Sequence, residues 1–149
     1  MDKRSVLFLC TGNSARSQMA EGLVNHFLGE TWEAFSAGVA PAERVHPLAV
    51  AVMAELGVDI AGQVPKPLDR FRDRHFDVII TLCDHAAKHC PAWLGNGQVV
   101  HLGFPDPAAA EGGNSAKLQI FRQVREALQQ QVLDFLVQWE TDTPQFHLN

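Results

Sequence analysis

The fold is decided near the start of the chain, where residues 5–17 read Ser5-Val6-Leu7-Phe8-Leu9-Cys10-Thr11-Gly12-Asn13-Ser14-Ala15-Arg16-Ser17. The run that leads into Cys10 is apolar, as expected of a parallel strand that is buried on both faces. Residues 11–14 are turn formers. Beyond them, apolar residues recur at helical spacing from Met19 to Leu28, and Gly29 ends the pattern. The stretch therefore predicts a strand, a tight loop and an amphipathic helix.

Strand and helix signals alternate along the rest of the chain. Further strands are predicted at residues 32–36, 76–82 and, with a weaker pattern, 98–102. Helices are predicted at residues 47–57 and 118–139, loops at 57–67 and 103–114, and a frayed tail after residue 140. This alternation predicts an α/β fold with a parallel sheet. Sites in such sheets gather at the carboxyl ends of strands, where Cys10, Cys83 and the loop containing Asp106 fall.

Composition and charge narrow the class of protein. The 149 residues, 46% of them hydrophobic, suit one globular domain, and no linker divides the chain. The net charge of -5 argues against general nucleic-acid binding but permits a local anion site. No segment approaches the roughly 18 apolar residues of a membrane-spanning helix, and residues 6–9 are too short for a signal peptide core. We therefore expect a cytoplasmic protein with no membrane or nucleic-acid partner.

Residues 10–17 also carry the most informative chemical pattern, a cysteine and an arginine spaced as C-x5-R. A short loop before a helix can turn its main-chain N–H groups inward and bind an anion. Arg16 can offer two parallel donors to an oxyanion, and the same positive environment stabilises a thiolate at Cys10. The competing interpretation is a buried structural cysteine near a surface arginine. We favour an oxyanion-binding loop, made of Thr11, Gly12, Asn13, Ser14, Ala15, Arg16 and Ser17.

Two further cysteines lie in the segment Cys83-Asp84-His85-Ala86-Ala87-Lys88-His89-Cys90. Cytosolic thiols are normally kept reduced, so three cysteines favour chemical reactivity or metal binding over a structural disulfide framework. Zinc is one alternative, but the spacings C-x-H and H-C are unusual for zinc ligands, and we expect no metal. In the other alternative both cysteines are inert core residues. Cys90, however, precedes Pro91 in a polar stretch that suits a surface thiol.

Residues 6–22 (VLFLCTGNSARSQMAEG) resemble the signature of the arsenate reductases that are related to low-molecular-weight phosphatases. Ser36-Ala37-Gly38 is similar to a second motif of that superfamily. The resemblance covers about residues 5–139, nearly the whole chain. It implies a single domain with a four-stranded parallel sheet flanked by helices, of the phosphotyrosine protein phosphatase I type.

The resemblance also implies a reaction, the reduction of arsenate to arsenite by a thiol-disulfide relay. Cys10 attacks arsenate, and Asp106, in an Asp-Pro dipeptide that alone would indicate a surface turn, acts as general acid. Cys83 then attacks Cys10, arsenite leaves and a Cys10–Cys83 disulfide forms. Cys90 attacks Cys83 and frees Cys10, and reduced thioredoxin, the electron donor, reduces the Cys83–Cys90 disulfide. No bound cofactor is implied.

A helix over this segment would hold the last two thiols apart. Residues seven apart are separated by about 10 Å along a helix axis. A disulfide requires Cα atoms within roughly 7 Å of each other. We therefore predict that the segment from Cys83 to Cys90 unwinds or loops out during turnover.

Two other functions remain open from the sequence. One is a low-molecular-weight phosphatase whose extra cysteines protect Cys10 from oxidation, and the other is a non-catalytic oxyanion or metal sensor. The chain has no tyrosine, and Asp106-Pro107 is followed by three alanines, where such phosphatases usually carry aromatic residues. This absence favours a small inorganic oxyanion over an aryl phosphate. Trp93 could line the site, but a structural role is expected.

The resemblance further implies a potassium site in some members of the family, at residues that match Asn13, Glu21 and Ser36 plus a carboxylate. In this chain Lys66 stands about where the carboxylate would fall. We predict that the Lys66 ammonium replaces the cation and that activity does not depend on potassium.

Overall fold

The protein is built from four strands and four helices in the ranges that the structure, a computed structural model, describes, residues 3–91 and 98–142. The strands are β1 (Arg4–Cys10), β2 (Trp32–Gly38), β3 (Val78–Thr81) and β4 (Gln98–His101). The helices are α1 (Arg16–Phe27), α2 (Pro47–Ala54), α3 (Asp84–Lys88) and α4 (Asn114–Asp142). Short 3₁₀ turns lie at Leu68–Phe71 and Pro107–Ala109.

The strands form one parallel sheet in the order β2-β1-β3-β4. Strand β1 pairs with β2 from Arg4↔Trp32 to Cys10↔Gly38 and with β3 from Val6↔Val78 to Leu9↔Thr81. Because β1 and β3 are neighbours, the loops that follow them leave the sheet side by side. The predicted single-domain α/β fold with a four-stranded parallel sheet is confirmed.

Burial explains the sequence patterns. The apolar run of β1 is buried at every position from Val6 to Cys10, since helices cover the sheet. Helix α4 packs against α1 and α2 through an apolar stripe at helical spacing, Phe121, Val124, Leu128, Val132 and Leu136. Within the described residues, no helix combines the length and apolar character needed to cross a membrane.

Some element ends differ from the predicted ones. Helix α4 begins at Asn114, inside a predicted loop, and continues to Asp142, past the predicted start of fraying. Strand β2 extends two residues beyond its predicted end, since Gly38 pairs with Cys10 and donates to the Lys66 carbonyl at 2.8 Å. The 3₁₀ turn at Leu68–Phe71 lies just beyond a predicted loop.

Candidate active site

The loops that follow β1, β3 and β4 meet at the carboxyl edge of the sheet. Cys10 ends β1 and Arg16 begins α1, so the C-x5-R pattern spans the connection between them. Together with Asp106, they line a cavity of about 230 Å³, whose remaining walls come from Thr11, Gly12, Ser14, Ala15 and Ala108. The structure therefore brings the predicted nucleophile, cation and acid to one cavity.

The loop of residues 11–15 is neither strand nor helix, and its carbonyl and N–H groups differ in whether they are hydrogen bonded within the protein. Every carbonyl from Cys10 to Ala15 accepts a hydrogen bond, from the main chain of Val39, Ala40, Ala42, His46 and Met19 or from the Gln18 side chain. By contrast, within the described ranges the N–H groups of residues 12–16 donate to no protein acceptor. A row of free donors before a helix is the arrangement that binds anions.

Gly38 permits the close contact between β2 and this loop. A Cβ atom at this position would lie 2.8 Å from the Thr11 carbonyl oxygen and 2.9 Å from the Asn13 Cβ. Real Cβ atoms do not approach so closely, so the loop would have to shift for any larger residue. The glycine of the Ser36-Ala37-Gly38 motif is therefore required by packing.

Asn13 holds the loop from within. It is fully buried, and it adopts a positive φ of 50°, a conformation that asparagine tolerates better than most residues. Its Oδ1 accepts hydrogen bonds from the Lys66 main-chain N–H at 2.8 Å and from Gln18 Nε2 at 3.1 Å. The side chain thus ties the loop to α1 and to the segment before the 3₁₀ turn.

The Cys10 thiol is 2% exposed, and its Sγ lies 2.8 Å from Ser17 Oγ. Asn13 Nδ2 donates to the same Ser17 oxygen at 2.7 Å. Because the serine oxygen already accepts from the amide, its own O–H is oriented to donate to the sulfur. Ser17 and Asn13 thus form a hydrogen-bonded chain that ends at the Cys10 sulfur.

Arg16 and Asp106 connect the first loop to the late loop. Arg16 Nη1 donates to the Phe104 carbonyl at 3.2 Å, and Nη2 lies 3.8 Å from Asp106 Oδ2. Asp106 is about half exposed, and its Oδ1 caps the 3₁₀ turn by accepting from the Ala108 N–H at 3.0 Å. Asp106, the predicted general acid, thus lies on the exposed side of the cavity.

Cys83 lies beside the anion loop, whereas Cys90 does not. Cys83 Sγ is 3.4 Å from Thr11 Oγ1 and accepts from the Ala86 N–H, so it caps α3. Cys90 follows the last turn of α3 and is half buried against the core, and this burial raises the pKa of its thiol. All three cysteines are free thiols in this structure.

Lys66, which the sequence placed about where a carboxylate would fall, lies beside Glu21 in the structure. Its Nζ donates to the Val64 carbonyl at 2.7 Å and lies 3.7 Å from Glu21 Oε1. The same Glu21 oxygen accepts from Ser36 Oγ at 2.5 Å. Burial raises the pKa of Glu21, against the opposing effects of the Ser36 hydroxyl and the Lys66 ammonium, and burial likewise lowers the pKa of Lys66.

Two residues of the site were missed from the sequence. Gln18 is fully buried and donates to the Asn13 and Val64 carbonyls at 3.0 and 2.9 Å, and Gln63 donates to its Oε1 at 2.7 Å. An amide on the buried face of a helix was the available signal. His101, at the end of β4, contacts Asp84 beside Cys83, and the sequence gave no local sign of this.

The zinc alternative finds no ligand set in the described residues, where no group of three or more His, Cys, Asp or Glu side chains could hold a metal. His85 and His89, which belonged to that alternative, instead stack their rings with centroids 4.2 Å apart. Trp93 lies outside the described residues.

Comparisons with known proteins place the chain in a family. The family model of the low molecular weight phosphotyrosine protein phosphatases matches residues 5–144. The chain is 45% identical over 135 residues to an arsenate reductase of Halalkalibacterium halodurans, covering 91% of this chain and 96% of that protein. It is 39% identical over the same length to an arsenate reductase of Bacillus subtilis, with the same coverage of both chains.

Solved structures agree. An arsenate reductase in the phosphate-binding state has a TM-score of 0.77 and 33% identity, covering 91% of this chain and 98% of that one. A thioredoxin-dependent arsenate reductase of Corynebacterium glutamicum has a TM-score of 0.66 and 28% identity, covering 91% of this chain and 63% of that one. The sheet order, the loop after β1 and these similarities together show that the chain belongs to the low molecular weight phosphotyrosine protein phosphatase family, alongside its arsenate reductase relatives.

Proposed function

We propose that this chain reduces arsenate to arsenite with three thiols, Cys10, Cys83 and Cys90, and is regenerated by reduced thioredoxin. One observation carries the proposal: a second thiol, Cys83, lies 3.4 Å from the hydroxyl of Thr11, the residue next to Cys10. A hydrolytic phosphatase needs only the first thiol. Reduction of As(V) to As(III) takes two electrons, which two neighbouring thiols supply by forming a disulfide.

The oxyanion binds in the cavity above Cys10. The free N–H groups of residues 12–16 and the Arg16 guanidinium donate to its oxygens, which is the combination that proteins use for tetrahedral anions. Arg16 already makes contacts with Phe104 and Asp106, so the cation is held at the cavity before the anion arrives. Such preorganisation lowers the cost of binding.

The first chemical step is attack of the Cys10 thiolate on arsenic. A sulfur–arsenic bond forms, an arsenic–oxygen bond breaks, and Asp106 donates a proton so that the departing group leaves as water. The hydroxyl of Ser17, oriented by Asn13, stabilises the thiolate before attack. General acid assistance of this kind contributes roughly 10²–10⁴-fold in rate.

The second step transfers the electrons. The Cys83 thiolate attacks Cys10 Sγ, the sulfur–arsenic electron pair passes to arsenic, and arsenite leaves while a Cys10–Cys83 disulfide forms. Cys90 then attacks Cys83 and releases the Cys10 thiolate. Since α3 separates these two cysteines and burial raises the pKa of Cys90, this step requires the segment to open and expose the third thiol.

Thioredoxin completes the cycle by reducing the Cys83–Cys90 disulfide, and no bound cofactor takes part. The structural similarity to a thioredoxin-dependent arsenate reductase supports this choice of electron donor. We place the reaction in the cytoplasm, where thiols are kept reduced.

The test is NADPH consumption with arsenate, comparing thioredoxin and thioredoxin reductase with glutathione and glutaredoxin. We expect turnover with the thioredoxin system alone. Cys83→Ser and Cys90→Ser should abolish repeated arsenite release but keep weak aryl phosphatase activity, because Cys10, Arg16 and Asp106 remain. Turnover driven only by glutathione would refute the choice of donor, and unchanged arsenite release in both variants would refute the relay.

The alternative is a low-molecular-weight phosphatase, which the oxyanion cavity and Asp106 would equally serve. It predicts full aryl phosphate turnover in both cysteine variants and no arsenate-dependent NADPH consumption. The wall of the cavity beyond Asp106 is Ala108 rather than an aromatic residue, which disfavours an aryl substrate.

A further inference from the structure

His101 connects two strand ends to the start of α3. Its Nδ1 lies 2.8 Å from Oγ1 of Thr81, a buried residue at the end of β3, and its Nε2 lies 3.1 Å from Asp84 Oδ1. Asp84 is the first residue of α3 and directly follows Cys83. We refer to Thr81, His101 and Asp84 as the histidine clamp.

The clamp is the principal polar tether of this helix. Within the described residues, the His101–Asp84 contact is the only hydrogen bond between two side chains that joins residues 84–90 to the rest of the protein. The other polar contacts of α3 lie within the segment from Cys83 to Cys90. The N–H groups of Ala86 and Ala87 donate to the sulfur and the carbonyl of Cys83, and His89 donates to the His85 carbonyl. Ala86 is the buried residue of the helix. Few interactions therefore keep this segment helical.

We propose that His101 is a positioning residue that holds α3 in its helical, dithiol form and thereby opposes formation of the Cys83–Cys90 disulfide. The inference rests on the relay proposed above. A disulfide between these cysteines requires the helix to open, because its length exceeds the reach of the bond. Opening displaces Asp84 from His101, so the stability that the clamp gives to the dithiol form is lost in the disulfide form.

This coupling has a consequence for turnover. Any interaction present only in the dithiol form shifts the equilibrium of the pair towards the thiols. The clamp thus makes the Cys83–Cys90 disulfide easier for an external dithiol to reduce. The clamp also keeps Cys83 next to Thr11 in the Cys10 loop until the third thiol reacts.

The experiment measures the Cys83–Cys90 equilibrium directly. In a Cys10→Ser background, full-length protein is equilibrated with reduced and oxidised dithiothreitol, and the disulfide is quantified by peptide mapping. The reaction balances as protein disulfide plus dithiothreitol giving protein dithiol plus oxidised dithiothreitol. Asp84→Asn and His101→Gln should each shift the equilibrium towards the disulfide by about threefold, the size expected of an exposed pair.

Three further variants control the measurement. The Asp84→Asn/His101→Gln double variant should shift the equilibrium no more than either single variant, because both break one contact. Ala87→Gly, exposed on α3, should shift it about fivefold by lowering helix propensity alone. Glu33→Gln removes a similar exposed ion pair, with Arg74, at the start of β2 and should leave it unchanged.

The outcomes separate the clamp from the relay. If Ala87→Gly shifts the equilibrium while Asp84→Asn and His101→Gln do not, the clamp is overturned and the relay stands. Additive effects of the two clamp variants would also overturn it, since they would be acting independently. If no Cys83–Cys90 disulfide forms at any buffer ratio, the relay itself fails and the clamp fails with it.

Discussion

The loop that holds Cys10 and the segment that holds Cys83 and Cys90 follow neighbouring strands but are held in opposite ways. Every carbonyl of the first loop is hydrogen bonded, and Asn13 is tied to α1 and to Lys66. The second segment contains a helix of five residues, which makes one hydrogen bond between side chains to the rest of the described chain. Anion binding needs fixed donors, whereas disulfide exchange needs sulfurs that move. In the proposed relay, the firmly held loop would bind the oxyanion and the weakly held segment would exchange disulfides.

Replacing Asp106, the proposed general acid, should have the largest effect. Only the reaction with arsenate at the Cys10 loop should be slowed. Asp106→Asn should lower kcat/KM for arsenate by roughly 10²-fold, since the departing oxygen loses its proton donor. Steady-state rates with saturating thioredoxin measure this loss. Reduction of a preformed Cys83–Cys90 disulfide should be unchanged, and Asp69→Asn, which alters an exposed carboxylate paired with Arg72, serves as the control. Equal losses in both steps would contradict the division between the two regions.

Loosening the rigid loop tests whether its shape matters. Asn13→Ala removes the acceptor of the Lys66 N–H and the donor to Ser17, and it should cost about 3 kcal/mol of unfolding free energy together with most arsenate reduction. Urea denaturation and initial rates measure the two effects. Asn25→Ala removes a comparable pair of hydrogen bonds to Ala34. It should lower stability but leave activity intact, so an equal loss of activity there would reject a specific role for Asn13.

The next prediction concerns the ion pair between Lys66 and Glu21, which lies beside the same loop. Lys66→Met leaves Glu21 without its countercharge and should cost about 2 kcal/mol, below the range for fully buried pairs. The unmodified protein should turn over at the same rate in potassium and sodium salts, whereas the variant should be more active in potassium than in sodium. Rates in matched chloride salts decide this. A strong potassium stimulation of the unmodified protein would contradict the replacement of a cation by Lys66.

The smallest expected effect concerns His46. Its main-chain N–H donates to the Ser14 carbonyl, and its ring Nδ1 caps α2 by accepting from the Leu48 N–H. Burial lowers the pKa of His46, with Lys117 and Arg44 acting in the same direction and Asp106 opposing. The neutral form is therefore favoured in the folded state. The contribution of neutral His46 to the free energy of unfolding is complete above the unfolded pKa of about 6.5, and it is lost as the pH falls below that value.

His46→Asn, which retains a good cap, should consequently flatten the decline of stability between about pH 7 and pH 5. Urea denaturation across this range, as a difference between the two proteins, gives the measurement. A parallel decline of stability in both proteins would show that His46 does not cause the pH dependence.

Much of the fold and of the site was predictable because the relevant signals are local. The apolar run into Cys10, the turn formers after it and the periodic residues of α1 determined a strand, a loop and a helix without reference to the rest of the chain. The same local logic placed Cys10, Cys83 and Asp106 at the carboxyl ends of strands. Ends of elements such as α4 were less predictable, since Asn114 begins the helix before its apolar stripe starts.

The tertiary structure decided which of these parts meet. Only the sheet order sets β3 beside β1 and brings Cys83 to Thr11, because strand pairing depends on contacts between residues about 70 positions apart rather than on local pattern. The insertion of Lys66 beside Glu21 and the contact of His101 with Asp84 arise in the same way. Sequence by itself determined the chemical groups and their local frames, and packing determined the distances on which their chemistry depends.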